Sequence, residues 1–349
     1  MPPTAAAAGG AKAYLYDAEG HDREVPLNAE LLEHLHERAL LWIDVEGRAE
    51  EDIRRAAAPL KLDRTSVGDL LKPRPLPRLD NYGAYLQFSL LVPSEAVRPS
   101  SVATEAPASR AESSPKSGSG HSRLDFIVGD NWLLTVHEEN LQFLQGFRAQ
   151  DKAETEIGAL SAQALTASLL DWHLESFFKE VSRIELAVDR LDERILAQPS
   201  SEDLLERILA IRRRTSRLRR LLVAQRPVFY GLSRPDQTRV AESAAAGLFD
   251  ALASRFERAV DEVEHTRDLV VGCFELFTSR SAQQTNELVK ALTFFTVIIG
   301  SAAAIAGVFG MNFDPPFFQS GSIGFFAVTF GLAALALAAW VIGRRRRWI

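Results

Sequence analysis

The spacing of apolar residues changes character twice along the chain, and each change predicts a different kind of element. Up to about residue 150, short apolar or alternating runs recur at Ala13–Tyr16, Leu41–Val45, Tyr85–Leu91, Leu124–Val128 and Trp132–Val136. Runs of this length and pattern predict strands. The last two flank Gly129-Asp130-Asn131, a hairpin signal. Helical spacing marks Asn28–Ala39 (Leu31, Leu32, Leu35), Ala49–Leu60 and Arg64–Leu71. Pro73, Pro75 and Pro77 then force an extended run into the third strand. These signals together predict an α/β sandwich.

From Ser161 the period lengthens. Phe177, Val181, Ile184, Val188, Leu191 and Ile195 follow one another at steps of 4-3-4-3-4, a single apolar stripe on a long helix. Gln198-Pro199-Ser200-Ser201 ends it, and Ser201 suits the N-cap of the next helix, Glu202 to about Gln225. The first helix is acidic, with Asp171, Glu175, Glu180, Glu185, Asp189, Asp192 and Glu193. The second is basic, with Arg207, Arg212, Arg213, Arg214, Arg217, Arg219 and Arg220. An antiparallel hairpin laced by ion pairs is the expected arrangement, each pair worth little alone. A turn region near Pro227 to Pro235 leads to a longer amphipathic helix from about Leu248.

Then the charges stop. Lys290 is the last before 23 residues, Ala291 to Phe313, that hold no Asp, Glu, Lys, Arg or His. That length crosses a hydrocarbon core. No proline interrupts Leu248 to Phe313, so the soluble and apolar parts read as one helix, on the order of 90–100 Å long. A second uncharged run, Phe317 to Gly343, is closed by Arg344-Arg345-Arg346-Arg347.

Composition adds boundaries. About 280 residues precede the first span, enough for one α/β domain and a helical region. The lone cysteine, Cys273, allows no disulfide within the chain and fits a reducing compartment. Met1 to Lys12 is rich in Ala and Gly and carries no apolar core of a secretory signal. Four arginines after the second span stay in the cytoplasm by the positive-inside rule. Both termini are then cytoplasmic, and Asn312 to Ile323 faces outward. Residues 93–122 hold nine Ser and four Pro with no aliphatic larger than Val, the composition of a disordered surface insertion.

The expected organisation is a cytoplasmic α/β domain over 1–160, a helical hairpin region over 161–247 and the cytoplasmic part of a long helix over 248–290. A first span (291–312), an external loop (313–322), a second span (323–343) and a basic tail (344–349) complete it. The fold class is an α+β membrane protein: a cytoplasmic α/β sandwich, a long helical stalk and two C-terminal transmembrane helices. Two spans enclose no water path, so a channel requires several copies about an axis.

Thr285-Asn286-Glu287-Leu288-Val289-Lys290-Ala291-Leu292-Thr293, followed by Gly307-Val308-Phe309-Gly310-Met311-Asn312-Phe313, resembles the CorA family of divalent-cation channels. Two spans at the extreme C-terminus, Gly-Met-Asn ending the first and a basic tail after the second make the likeness specific. Trp42-Ile43-Asp44-Val45-Glu46-Gly47 and Arg78-Leu79-Asp80-Asn81-Tyr82 are also similar to the family's N-terminal domain. The resemblance implies a homopentamer in the inner membrane, with the first span lining the pore. It also implies that Asn286 and Asn312 stand on polar pore positions.

Steps of three and four along the long helix select Glu275, Thr278, Asn286, Val289, Leu292, Thr296, Gly300, Ala303, Gly307 and Gly310. Acid and amide groups line the inner end, aliphatics suit a hydrophobic gate, and small residues admit close backbone approach. Mg²⁺ sheds water reluctantly, so Gly310, Met311 and Asn312 read as a mouth of neutral acceptors holding the hydrated ion. The span has no Cys or His for a soft Zn²⁺ trap. Family members carry an acid in a Met-Pro-Glu-like loop. Here the loop is Phe313-Asp314-Pro315-Pro316-Phe317-Phe318-Gln319, where Asp314 is the one charge available for cation capture. The family's regulatory Mg²⁺ site would fall near Asp250, one residue from the matching position at Ala251.

No resident cofactor is expected. The transported ion that the resemblance implies is Mg²⁺, with Co²⁺, Ni²⁺ and Zn²⁺ as further candidates, and the expected partners are further copies of the chain and membrane lipids at the basic tail. Nucleic acid is not expected, because the acidic helix neutralises the basic one and no aromatic residues interleave. His137-Glu138-Glu139-Asn140-Leu141 lacks the second histidine of a zinc protease, and no nucleophile–base constellation suggests an enzyme. A transition-metal transporter resembling ZntB and a non-conducting membrane-tethered sensor stay open as alternatives.

Overall fold

In the computed structural model the described residues are 10–17, 23–27, 35, 39–93, 121–150, 161–198, 203–235, 245–310 and 321–345. They divide into two compact units, Met1–Ala187 with Leu209–Val270, and Val188–Ile208 with Val271–Ile349. The first unit is built on a seven-stranded sheet in the order β2-β1-β3-β7-β6-β5-β4. Its strands are β1 (Ala11–Asp17), β2 (Arg23–Val25), β3 (Ala39–Glu46), β4 (Leu79–Asn81), β5 (Leu86–Pro93), β6 (His121–Val128) and β7 (Trp132–His137). The β3–β7 pair is parallel and every other pair is antiparallel.

All five strands expected from the pattern form. The two additional ones, β2 and β4, are three-residue edge strands too short to show a period. Gly129 closes the β6–β7 hairpin, its N–H bonding the Trp132 carbonyl at 2.9 Å. A Cβ on Gly129 would lie 2.2 Å from the Trp132 ring, so the turn requires glycine for close approach. Of the insertion expected over 93–122, Pro93, His121 and Ser122 are strand residues, Pro93 facing His121 and Val92 facing Ser122. The rest lies outside the described residues, as does the helix expected over Asn28–Ala39, except that Leu35 packs against the sheet core and Ala39 opens β3.

Alternation along β3 separates two cores. Leu41, Ile43 and Val45 join Ile127, Leu134 and Val136 against Ile53 and Ala56 of α1 (Glu50–Ala57) and Leu70 of α2 (Arg64–Leu71). Asp63 caps α2, its carboxylate accepting the Thr65 N–H at 2.7 Å. On the other face Trp42 meets Phe147 of α3 (Gln142–Gln150) edge-on at 5.9 Å, and Phe88 stacks on Phe126 at 4.9 Å.

Three longer helices belong in part to this unit: α4 (Ala162–Ala197), α5 (Asp203–Val223) and, after the short α6 (Arg226–Leu232), α7 (Ala246–Phe309). Within the turn region expected near Pro227 to Pro235, Arg226–Leu232 is helical; Pro227 is tolerated because it sits in the first turn, where its missing N–H costs nothing. Contacts fix the directions. His173 bonds Gln225 at 2.8 Å and Glu180 accepts from Arg214, so α5 runs antiparallel to α4. Arg255 bonds Glu175 at 2.6 Å and Thr266 bonds Glu185 at 3.2 Å, so α7 runs parallel to α4. The expected lacing of α4 by α5 is thus shared: Arg219 of α5 pairs with Glu264, and Arg226 of α6 with Glu257, both acids on α7. The α4 stripe is buried throughout, and α7 carries its own, Phe249, Leu252, Phe256, Ala259, Val263, Thr266 and Val270.

In the second unit Leu191 and Ile195 of α4, Leu204 and Ile208 of α5, and Cys273 of α7 are buried. The distal part of α7 and α8 (Gly321–Arg345) complete it.

Candidate functional site

Within the uncharged stretch of α7 the hydroxyl residues bond back to the helix. Thr293 donates to the Val289 carbonyl at 2.8 Å, Thr296 to Leu292 at 2.8 Å and Ser301 to Val297 at 2.7 Å. Each hydroxyl proton is thereby satisfied inside an apolar segment. The apolar windows of α7 and α8 have mean hydropathies of 2.1 and 2.3, long and apolar enough to cross a membrane. Large side chains are exposed on both, among them Leu292, Phe295, Ile299, Ile323 and Phe330.

Glu275, Thr278, Asn286, Val289, Leu292, Thr296, Gly300, Ala303, Gly307 and Gly310 are all exposed. Between Ala291 and Val308, the half-buried positions are Ala291, Phe294, Ile298, Ala302 and Ile305. At about 100° per residue these two sets occupy opposite sides of α7. The expected pore stripe therefore lies on the exposed part of α7, opposite the half-buried positions; Phe295, Val297, Ile299 and Ser301, off the stripe, are exposed as well. A Cβ at Gly300 or Gly307 would meet nothing within 4 Å, so packing within the chain gives no reason for glycine there.

Gly310 ends the helix with its N–H on the Ala306 carbonyl at 2.9 Å, and it does not adopt the left-handed conformation that helix-ending glycines use. Met311, Asn312 and Asp314 lie outside the described residues. Asp250 is exposed in the first turns of α7. Among the described residues no group of three or more His, Cys, Asp or Glu side chains is placed to hold a metal ion. Asp261 and Glu262 instead line a hollow of about 440 Å³ with Glu175, Phe178, Arg255 and Arg258. There carboxylates and guanidinium groups alternate, and Arg255 pairs with both Asp171 and Glu175.

A buried polar cluster in the sheet unit was not legible from the sequence. Trp42 Nε1 donates to Thr135 Oγ1 at 2.9 Å, and Thr135 donates to Asp44. His137 places Nε2 3.2 Å from Asp44 Oδ2 and Nδ1 2.7 Å from the Glu139 carbonyl. Arg148 of α3 pairs with Asp44 and lies 4.9 Å over the Trp42 ring. Both His137 nitrogens face acceptors, the arrangement of a doubly protonated imidazolium. Burial alone would lower its pKa, but the hydrogen bond and charge of Asp44 outweigh it and raise the value. Burial likewise pushes Asp44 up, and His137 and Arg148 overcome that and hold it below the usual carboxylate range. The sequence signal was present in the adjacent parallel strands, which set Asp44 opposite Thr135, but the strand order had to be known first. In the second unit, burial and then Asp192 push the Cys273 thiol up to about 12, so it is an inert core residue at neutral pH.

Three comparisons bear on this arrangement. The cobalt/magnesium transport protein CorA of Thermotoga maritima is 27% identical over 188 residues, 54% of this chain and 53% of that protein, so the match spans about half of the relative. The complete structure of the CorA magnesium transporter from Methanocaldococcus jannaschii superposes with a TM-score of 0.72 at 20% identity, covering 97% of this chain and 99% of the other. The ZntB cytoplasmic domain from Vibrio parahaemolyticus gives 0.57 at 12% identity, covering 78% and 99%. At these identities the two structural likenesses concern the fold. The model of the CorA-like Mg²⁺ transporter family matches residues 37–346, and the chain belongs to that family.

Proposed function

We propose that the chain assembles as a homopentamer in the inner membrane and conducts divalent cations, Mg²⁺ first, along an axis lined by α7. The observation that carries this reading is the succession of polar, aliphatic and small residues from Glu275 to Gly310 along one exposed side of α7. Lipid would favour bulky apolar residues on an outward face; Gly300, Ala303, Gly307 and Gly310 suit neighbouring helices that approach closely around a path. Glu275, Thr278 and Asn286 form the cytoplasmic vestibule, and Val289 and Leu292 form a constriction that closes by dewetting. Gly310, Met311 and Asn312 form the outer mouth, which holds the ion through its own waters. Asp314 concentrates cations there.

An inside-negative potential supplies about 2.3 kcal/mol per charge per 100 mV, roughly twice that for a divalent ion, so no further energy source is required. Both termini are cytoplasmic in this reading, and Arg344 and Arg345 end α8 at the inner headgroups.

A second reading, a Zn²⁺ transporter coupled to protons, has two supports. One is the likeness of fold to the ZntB domain, and the other is the Asp314-Pro315-Pro316 loop, which departs from the family's acidic loop. Purified protein in liposomes separates the two. The channel reading expects Mg²⁺ entry under an inside-negative potential with no proton gradient. Zn²⁺ entry that requires a proton gradient, with no Mg²⁺ entry, would establish the second reading instead.

A further inference from the structure

We infer that Thr296 supplies a second acceptor ring for the hydrated divalent cation, one helical turn outward of Leu292. The inference rests on the pore reading of α7 and adds a site to it. Leu292 and Gly310 are separated by roughly 27 Å of helix. The stripe positions in that interval are Thr296, Gly300, Ala303 and Gly307, and Thr296 alone among these four has a polar side-chain atom; Thr293, also exposed, lies about 60° farther round the helix. Thr296 is an exposed residue, and its hydroxyl is oriented, donating to the Leu292 carbonyl at 2.8 Å.

A hydroxyl has one proton and two acceptor lone pairs. With the proton committed along the helix, only lone pairs remain to face the path. Waters on Mg²⁺ present hydrogens outward, and the ion keeps several of them, so an acceptor is the group they need. Gly300 follows at the next turn and leaves open space beside the ring. The ion thus pauses at Thr296, hydrated, before it enters the constriction at Leu292. There a purely aliphatic wall would otherwise oppose a wetted path.

Other helical hydroxyls supply the control. Ser301 makes the same kind of bond, to the Val297 carbonyl at 2.7 Å, but lies about 140° around the helix from Thr296. Removing it tests loss of a back-bonding hydroxyl without loss of the ring.

The test is Mg²⁺ flux into liposomes holding the full chain, with assembly checked by size-exclusion chromatography. Thr296→Val, close in shape but without the hydroxyl, should lower maximal flux several-fold. Thr296→Ser, which keeps the hydroxyl, should restore flux relative to Thr296→Val, and Ser301→Ala should stay near wild type. Wild-type flux in Thr296→Val would overturn the inference, as would an equal loss in Ser301→Ala. Asn312→Ala distinguishes the two levels: if it conducts as wild type, the pore reading falls and the ring with it. If it is silent while Thr296→Val conducts normally, the ring alone is wrong.

Discussion

At Gly129 the chain passes so close to Trp132 that a methyl group has nowhere to go: the added carbon would lie 2.2 Å from the ring. Gly129→Ala should therefore destabilise the sheet unit by about 1–3 kcal/mol, the usual cost of overpacking. Thermal or denaturant unfolding checks this, and a melting point equal to wild type would mean the Trp132 ring moves aside freely. The sequence suggested a hairpin there but gave no sign of the indole that makes the glycine necessary. Gly300 and Gly307 are the converse. Their spacing was legible, and the structure finds open space beside both, so the reason for glycine is sought outside the single chain. Thr296 was legible as a position on a stripe; the direction of its hydroxyl was not, because that depends on the carbonyl one turn earlier.

Elements were legible in proportion to their length and regularity. The 4-3 stripe of α4 and the charge-free stretch of α7 repeat often enough to stand out, whereas β2 and β4 are three residues each and show no period. The second apolar stripe, Phe249 to Val270, was in the sequence with the same three-and-four spacing, and it explains why α7 rather than α5 alone packs along α4. How α3 is held was not legible, since Arg148, Asp44 and His137 are far apart in the chain and meet only through the strand order. This latch has a pH dependence with a definite sign. The His137 pKa is raised, so its contribution is complete below about 6.5 and is lost as pH rises through the higher folded value. The Asp44 pKa is lowered, so its contribution is present above about 3.9 and is lost as pH falls through the lower folded value. The melting temperature should decline on the alkaline side, and His137→Gln, which cannot gain a proton, should lack that part of the decline. An identical alkaline slope in both proteins would show that His137 is not its source.

For the whole molecule, the family and the two apolar helices establish the kind of protein, while the assembly and the ion path are inferred from what a single chain leaves uncovered. A pore made of several copies has no complete wall in one of them, which is why sequence spacing reached the stripe but could not supply its partners. In the proposed pore the outer mouth at Gly310, Met311 and Asn312 is the most exacting part, because it is the first to meet the hydrated ion. The most direct measurement is Mg²⁺ entry into liposomes under an imposed inside-negative potential, wild type beside Asn312→Ala, each confirmed to run at the mass of a pentamer of 38.6 kDa chains. The account predicts entry in the wild type and a loss of tenfold or more, on the order of 1.4 kcal/mol or greater, in the variant. Equal entry in both, or no entry in a correctly assembled wild type, would contradict it.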